Sequence, residues 1–336
     1  MKREKVLAIL LIAVLVFGNA VSAFAGYEDY EEEDEVYYAY TIAKITLNNM
    51  GESEEVLNPC ILKNIKGNEE AVVFDISNGG YIIVNINDLS VPEISFEGKN
   101  PYDGCENPVY NGPLNYYLCD NNEFYSIKSG EKIDVDNEEA YEKKPLEDKA
   151  EYVDTLLKNN KKRAKARTVR KYLSPMPQNW SYNTDSFCGA LACAICMRYY
   201  YDNVNSNYVD SLFSNEIDLT TLMRGYVGYR ETYKEDLVIG LNRYFSDRGV
   251  DNIARHNGSV FNFDTIINTV DRNRPAIVGI HNHEPYRHHW IIAWGYHYIV
   301  NNSNSQYVIV LDGWGNHQVF ISVAEGCLRE IVYFNK

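Results

Sequence analysis

The chain has 336 residues, of which 45% are hydrophobic and 13% aromatic, and its formal net charge is -15. This composition is typical of a globular protein, and the length allows two domains that each bury a core. The negative charge argues against nucleic acid or an anionic membrane surface as partner, since both require a broad basic surface. Seven cysteines are an odd number, so at least one thiol remains free.

The N-terminus has the pattern of a secretory signal peptide. A basic start precedes an apolar block from Val6 to Phe17, which is too short to span a bilayer, and the small-residue sequence Ala23-Phe24-Ala25 follows. We therefore predict that residues 1–25 are removed and that the product is secreted, without stable membrane insertion. A retained N-terminal anchor is the alternative.

Residues 26–157 alternate β-rich runs with turns. The acidic run 28–35 predicts either a solvated leader or the exposed start of a helix. The sequence EEAVVFDISNGGYIIVNINDL predicts a β-hairpin that turns at Asn78-Gly79-Gly80. This part contains no histidine, which disfavours acid–base catalysis at neutral pH and favours a structural or regulatory role.

Residues 158–171 form a basic run that is poor in large apolar side chains. A solvated helix end is one interpretation. We favour an exposed interdomain linker that trypsin-like proteases would cut. The second domain is then predicted at residues 172–336.

All histidines and tryptophans of the chain follow this linker. The sequence CGALACAICMRYYYD, beginning at Cys188, predicts a buried helix with capping oxygens offered by Thr184, Asp185 and Ser186. Residues 276–336 alternate strand-like runs with turns and predict an antiparallel meander.

The cysteines of this helix have the spacing of an iron–sulfur motif and, in part, of a redox pair. On one helix Cys188 points about 80° away from Cys196 and about 140° from Cys193, so the three cannot share a metal. A redox pair normally lies at the first turn of a helix. Cys193 and Cys196 lie a turn or more inside this one, as expected of buried cysteines that pack as small apolar residues. Cys188 lies in the first turn, where free amides lower a thiol's pKa, and Gly189 leaves room for a substrate.

A nucleophilic thiolate needs a histidine and a third group that orients the histidine. The sequence places His289 at the head of a strand and Asp312 at the end of the next. A turn near residues 301–302 would bring them together, so that Asp312 accepts from one ring nitrogen and the other faces Cys188. An ordinary turn residue is the alternative for Asp312.

Three motifs together resemble the papain-like cysteine peptidase superfamily, and they occur in its order. They are Cys-Gly-Ala-Leu-Ala at 188–192, His-Trp-Ile-Ile-Ala-Trp-Gly-Tyr at 289–296 and Asp-Gly-Trp-Gly at 312–315. The similarity is closest to bacteriocin-leader-processing peptidases and their secreted relatives, which have Cys-Gly-Pro-Ala and a catalytic aspartate. Ala190 stands where these enzymes often have proline.

The resemblance implies an α+β fold, in which a helix carrying the cysteine packs on an antiparallel sheet. It implies a cysteine endopeptidase acting on peptides or proteins through Cys188, His289 and Asp312, with Trp314 shielding the histidine–acid hydrogen bond. The family also uses a glutamine to hold the oxyanion. Gln178 matches it best, and Asn183 is the runner-up.

A separate resemblance concerns the first half. The sequence GGYIIVNINDLSVPEISFEGKNPY is similar to the propeptide of streptopain-type peptidases. This implies that the first half is an α+β inhibitory propeptide, the chain's own intramolecular inhibitor, and that the basic linker is its activation site.

Other functions remain open. The sequence HNHEPYRHH at 281–289 makes a zinc hydrolase chemically possible, although it lacks a recognised ligand pattern. We predict no metal and no cofactor. A transglutaminase-like acyltransferase could use the same triad, and a secreted binding module could keep the fold without catalysis.

Overall fold

The computed structural model describes residues 34–135, 140–162, 167–182, 187–228, 232–258, 260–281, 289–316 and 318–335. The predicted signal peptide lies outside these ranges. Within them, no helix is both long and apolar enough to cross a membrane.

In its described residues, the first half combines two α-helices with eight short strands. The helices are α1 (Glu35–Met50) and α2 (Lys149–Lys162). The strands are β1 (Val56–Lys63), β2 (Glu69–Ile76), β3 (Tyr81–Asn85), β4 (Glu93–Ser95), β5 (Pro108–Tyr110), β6 (Tyr116–Asp120), β7 (Glu123–Ser126) and β8 (Lys132–Ile133).

Local signals in the first half lead to the expected elements. The Asp34 carboxylate accepts from the Val36 amide and caps α1, so the acidic run ends in a helix start. Strands β2 and β3 pair antiparallel, which confirms the predicted hairpin. Gly79 and Gly80 have φ values of 96° and 94°, a backbone conformation that glycine adopts without strain.

The part of the second half that the structure describes combines four α-helices with seven strands. The helices are α3 (Cys188–Asn203), α4 (Glu216–Val227), α5 (Lys234–Asp247) and α6 (Phe263–Asp271). The strands are β9 (Thr168–Tyr172), β10 (Ala254–His256), β11 (Ala276–Ile280), β12 (His289–Ile299), β13 (Asn302–Leu311), β14 (Val319–Ser322) and β15 (Leu328–Phe334).

The second half has the predicted α+β architecture. Strands β11 to β14 are antiparallel neighbours in chain order, and β15 pairs with the free edge of β11, so the meander is confirmed. Helix α3, buried over most of its length, packs against β12 and β11. The helix that begins at Cys188 therefore lies on the antiparallel sheet.

The two halves share one sheet and one hydrophobic core. Strand β4 of the first half pairs antiparallel with β14 of the second, and all three of its residues are buried. Phe96 packs edge-on against Phe320, with ring centroids 5.1 Å apart. Each half therefore completes a sheet edge of the other.

The basic run at 158–171 differs from the predicted linker. Its first residues complete α2, and its last residues form β9, which pairs with β12. Arg170 binds Glu52 of the first half, with Nη1 and Oε1 2.6 Å apart. Residues of the basic run thus form part of the sheet of the second half, because β9 pairs along the part of β12 that β11 leaves free.

Candidate active site

Cys188 is the first residue of α3. The N-cap is Phe187, whose side chain makes no capping hydrogen bond, and the three predicted capping residues lie outside the described residues. Burial raises the pKa of the Cys188 thiol, and the backbone amides of Trp290, Gly189 and Cys188 oppose this effect by hydrogen bonding to the sulfur. The expected low thiol pKa is therefore wrong for this state, because desolvation outweighs the helix start.

Gly189 packs against Thr232 instead of leaving room for a substrate. A Cβ atom at Gly189 would lie 3.0 Å from Thr232 Cβ and 3.1 Å from its Oγ1. The Thr232 carbonyl in turn accepts from Trp290 Nε1 at 2.7 Å. The missing side chain thus brings the start of α3 close to the segment that supports Trp290.

Gly189→Ala should lower the free energy of unfolding by about 1–2 kcal/mol, because the added methyl group overpacks this contact. Gly225→Ala on α4 is the matched control, since a Cβ there meets nothing within 4 Å. We expect the control to raise stability by about 0.5–1 kcal/mol through helix propensity. Urea denaturation of both variants checks this. Equal effects at the two positions would contradict the packing role of Gly189.

His289 begins β12 directly before Trp290. Its Nε2 lies 2.9 Å from the main-chain oxygen of Asp312, and its ring stacks on Trp314 with centroids 4.1 Å apart and planes 23° apart. Burial lowers the pKa of His289 to about 4, although the hydrogen bond and charge of Asp312 act in the opposite direction. At neutral pH the imidazole is therefore neutral in this state.

Asp312 directly follows β13 and is fully buried. Its Oδ1 accepts from the amides of Trp314 and Asn316 at 2.8 and 3.0 Å. Its Oδ2 accepts from Asn316 Nδ2 at 2.8 Å and from Lys128 Nζ at 2.9 Å. The hairpin brings Asp312 to His289 as predicted, but the carbonyl rather than the carboxylate makes the contact.

Together these contacts gather the predicted residues at one place. The amide of Trp290 reaches the Cys188 sulfur, while the preceding residue, His289, contacts Asp312 and Trp314. The thiol thus lies at a helix start, the histidine is the residue next to an amide that contacts the thiol, and the histidine contacts an aspartate with a buried carboxylate. These residue types can support nucleophilic acyl transfer.

Residues 171–325, just under half of the chain, match the family described as Peptidase_C39 like family. The second half of the chain is therefore similar to a peptidase family. All three residues of the predicted triad lie inside the matched range.

Among solved structures, a fragment of prointerpain A from Prevotella intermedia is similar to this chain. The sequence identity is 12%, the TM-score is 0.42, and the match covers 83% of this chain and 98% of that chain. A similarity this loose does not bear on the site. No curated protein matches the chain.

The oxyanion residue stays a prediction. Gln178 has an exposed side chain in the segment before α3, and Asn183 lies outside the described residues. The neighbouring Asn179 donates from Nδ2 to the Gly315 carbonyl at 2.7 Å. This segment before α3 therefore touches the loop that carries Asp312.

The other cysteines of α3 lie in the core. Cys193 and Cys196 are fully buried, and burial raises the pKa of both thiols strongly. Buried neutral thiols pack as small apolar groups, as predicted for these two. None of the seven cysteines, all of which lie in the described residues, forms a disulfide in this structure.

The histidine-rich segment is only partly described. His281 Nε2 lies 3.4 Å from Glu330, which also binds Lys234 at 2.8 Å, whereas residues 282–288 lie outside the described residues. In the part of the chain that the structure describes, no three potential ligands group as a metal site would require.

A cavity of about 420 Å³ lies between the halves, away from the triad. It is lined by α1, α2 and the β12–β13 hairpin, with the fully buried His297 at its wall. Arg170 Nε donates to His297 Nδ1 at 3.2 Å, and burial lowers the pKa of His297 to about 3. None of the triad residues lines this cavity, so it is not the proposed reaction site.

Three residues that contact the triad or its neighbours are not among the predicted site residues. Asn316 follows the Asp-Gly-Trp-Gly motif, and an amide side chain there could have been interpreted as a turn partner of Asp312. Thr232 and Lys128 carry no such signal, because both are far from the motif in sequence.

Proposed function

We propose that the chain is a secreted cysteine endopeptidase made as a zymogen. The single observation that carries the proposal is that the backbone amide of Trp290 hydrogen bonds to the Cys188 sulfur, while the adjacent residue, His289, contacts Asp312 through its imidazole. The family match supports the same chemistry. Secretion is inferred from the sequence of residues 1–25.

The mechanism follows from these positions. The neutral imidazole of His289 takes the thiol proton, and the Cys188 sulfur forms a bond to the substrate carbonyl carbon. The Cys188 amide and Gln178 are proposed to donate to the resulting oxyanion. His289 then protonates the leaving amine, and water hydrolyses the thioester and restores the thiol.

Trp314 and Asp312 position the base. The stacked indole covers one face of the His289 ring, and the Asp312 carbonyl holds Nε2. Since Nε2 is engaged there, Nδ1 is the nitrogen available to receive a proton from the thiol. A buried carboxylate close by stabilises the imidazolium that forms.

Labelling with a thiol-directed epoxide, followed by peptide mapping, tests the proposal. Activated chain, cut in the basic segment and freed of its first half, should be modified at Cys188 alone, and His289→Ala should abolish the modification because the thiol loses its base. His256→Ala is the control. His256 is the last residue of β10, and its ring nitrogen hydrogen bonds to the main chain of Asn257 rather than to a triad residue. Hydrolysis of a fluorescent protein substrate is followed in parallel.

Equal labelling of Cys193 and Cys196, or no labelling, would contradict an activated Cys188. Labelling at Cys188 without hydrolysis, but with transfer of an acyl group to an added amine, would favour the acyltransferase instead.

A further inference from the structure

A lysine from the first half reaches the carboxylate of the proposed triad. Lys128 Nζ lies 2.9 Å from Asp312 Oδ2, across 184 positions of sequence. The Asp312 side chain is fully buried, and that of Lys128 is 13% exposed. Because both side chains are shielded from water, the two charges interact more strongly than those of an exposed ion pair do.

The turn between β7 and β8 fixes the position of Lys128. The Gly130 amide donates to the Ser126 carbonyl at 2.8 Å, and the Ser126 amide donates to Glu131 at 2.8 Å. Gly130 has a φ of 73°, which glycine adopts without strain. The lysine is therefore presented by a closed turn rather than by a free loop.

Aromatic and acidic groups of the first half surround the ammonium. It lies over the Tyr116 ring, 5.2 Å from the centroid. Tyr116 and Tyr81 both hydrogen bond to the carboxylate of Glu93, which is fully buried. Burial raises the pKa of Glu93, and these hydrogen bonds and the charge of Lys128 oppose the shift. The positive charge of Lys128 thus acts on two buried carboxylates, that of Glu93 in the first half and that of Asp312 in the second.

Lys128 occupies the Asp312 carboxylate, while the main-chain oxygen of Asp312 contacts His289. Four donors already occupy the carboxylate, and the imidazole contacts the main-chain oxygen instead. The positive charge of Lys128 offsets the negative charge that would stabilise an imidazolium. It also contributes to the low pKa of His289, behind the larger effect of burial.

We propose that Lys128 is an inhibitory latch, which holds the Asp312 carboxylate and keeps His289 from acting as a base while the first half is docked. The proposal rests on the proposed function, because it assigns a regulatory role at the same site.

The shared sheet extends this proposal. Strand β4 is hydrogen bonded to β14, and Gln318 Nε2 donates to Glu97 at 2.5 Å. Neither contact involves residues 162–168, so we expect both to persist when the chain is cut there. Cutting there alone leaves the latch closed. Activation requires the β7–β8 turn to leave Asp312.

The test measures alkylation of Cys188 by iodoacetamide in the uncut full chain at pH 7. Lys128→Met should raise the rate constant about tenfold or more, since one unit of thiol or imidazole pKa is a factor of ten. Lys128→Gln should also raise this rate constant, because it removes the positive charge. Its amide can still donate to Asp312, so this variant serves as the test if Lys128→Met misfolds. Lys132→Met is the matched control, because Lys132 lies on the same hairpin, is 57% exposed and pairs with Glu123.

A third variant separates the latch from simple loosening of the fold. Lys128→Met combined with His289→Ala should lose the gain, because the latch acts through His289. An equal gain without His289, or no gain in the folded single variants, would overturn the proposal.

Hydrolysis measured on the same proteins separates the two proposals. Faster alkylation without hydrolysis would keep the latch and contradict the peptidase. Hydrolysis by wild-type chain whose first half has been degraded, with no effect of Lys128→Met on alkylation, would keep the peptidase and reject the latch.

Discussion

Cys188→Ala should abolish peptide hydrolysis in the activated protein, with a loss of about four orders of magnitude or more in kcat/KM. The sulfur is the proposed bond-forming atom, and alanine offers no nucleophile. Cys188 is also the cysteine of α3 that amides of the helix start and of Trp290 contact. Hydrolysis of a fluorescent peptide, measured with the variant and wild type side by side, checks this.

Cys193→Ala and Cys196→Ala are the matched controls on the same helix. Both thiols are fully buried, so each replacement should cost about 1 kcal/mol of stability through a small cavity and leave kcat/KM within a factor of about three. Loss of activity in either control, with Cys188→Ala still active, would contradict the assignment of the nucleophile.

Asp312→Ala should damage stability and activity together. It removes acceptors for Trp314, Asn316 and Lys128, and it leaves the Lys128 ammonium without its buried partner. Breaking one side of a buried pair costs about 3–5 kcal/mol, and we expect the lower end because Lys128 keeps 13% exposure. Urea denaturation measures the loss, and hydrolysis by the activated form should fall by about two orders of magnitude or more.

A double-mutant cycle separates the ion pair from the turn. Asp312→Asn keeps an oxygen for the amides of Trp314 and Asn316 but turns a donor toward Lys128. Combined with Lys128→Met, it should therefore recover about 1–3 kcal/mol relative to the sum of the single variants. Additive losses would show that Lys128 and Asp312 are not coupled.

Local patterns explain which parts of the fold were predictable. The apolar run from Cys188, the turn at Asn78-Gly79-Gly80 and the strand alternation after residue 276 each depend on neighbours within a few residues. The hairpin from β12 to β13 is of the same kind, and it alone brings His289 to Asp312. It turns at residues 300–301, one position before the predicted place, because β13 already begins at Asn302.

Other features depended on residues far away in sequence. The basic run became partly strand because the edge of β12 was open to β9, and Gly295 lets the Lys171 carbonyl approach that edge, where a Cβ would lie 2.7 Å from it. The sequence predicts open space beside Gly189, whereas Thr232 fills that space in the structure. A sequence shows that a glycine has no side chain, but only the packing of the fold shows which atoms occupy the space beside it.

The order of cysteine, histidine and acid can be taken from the sequence, and the helix and strands that present them follow from its short-range periodicity. Only the tertiary structure decided the electrostatic state of the site. Burial raises the pKa of Cys188 and lowers that of His289, and a lysine 184 positions from Asp312 occupies its carboxylate. Desolvation and long-range charge depend on what the whole fold packs around a group, and no local pattern carries that information.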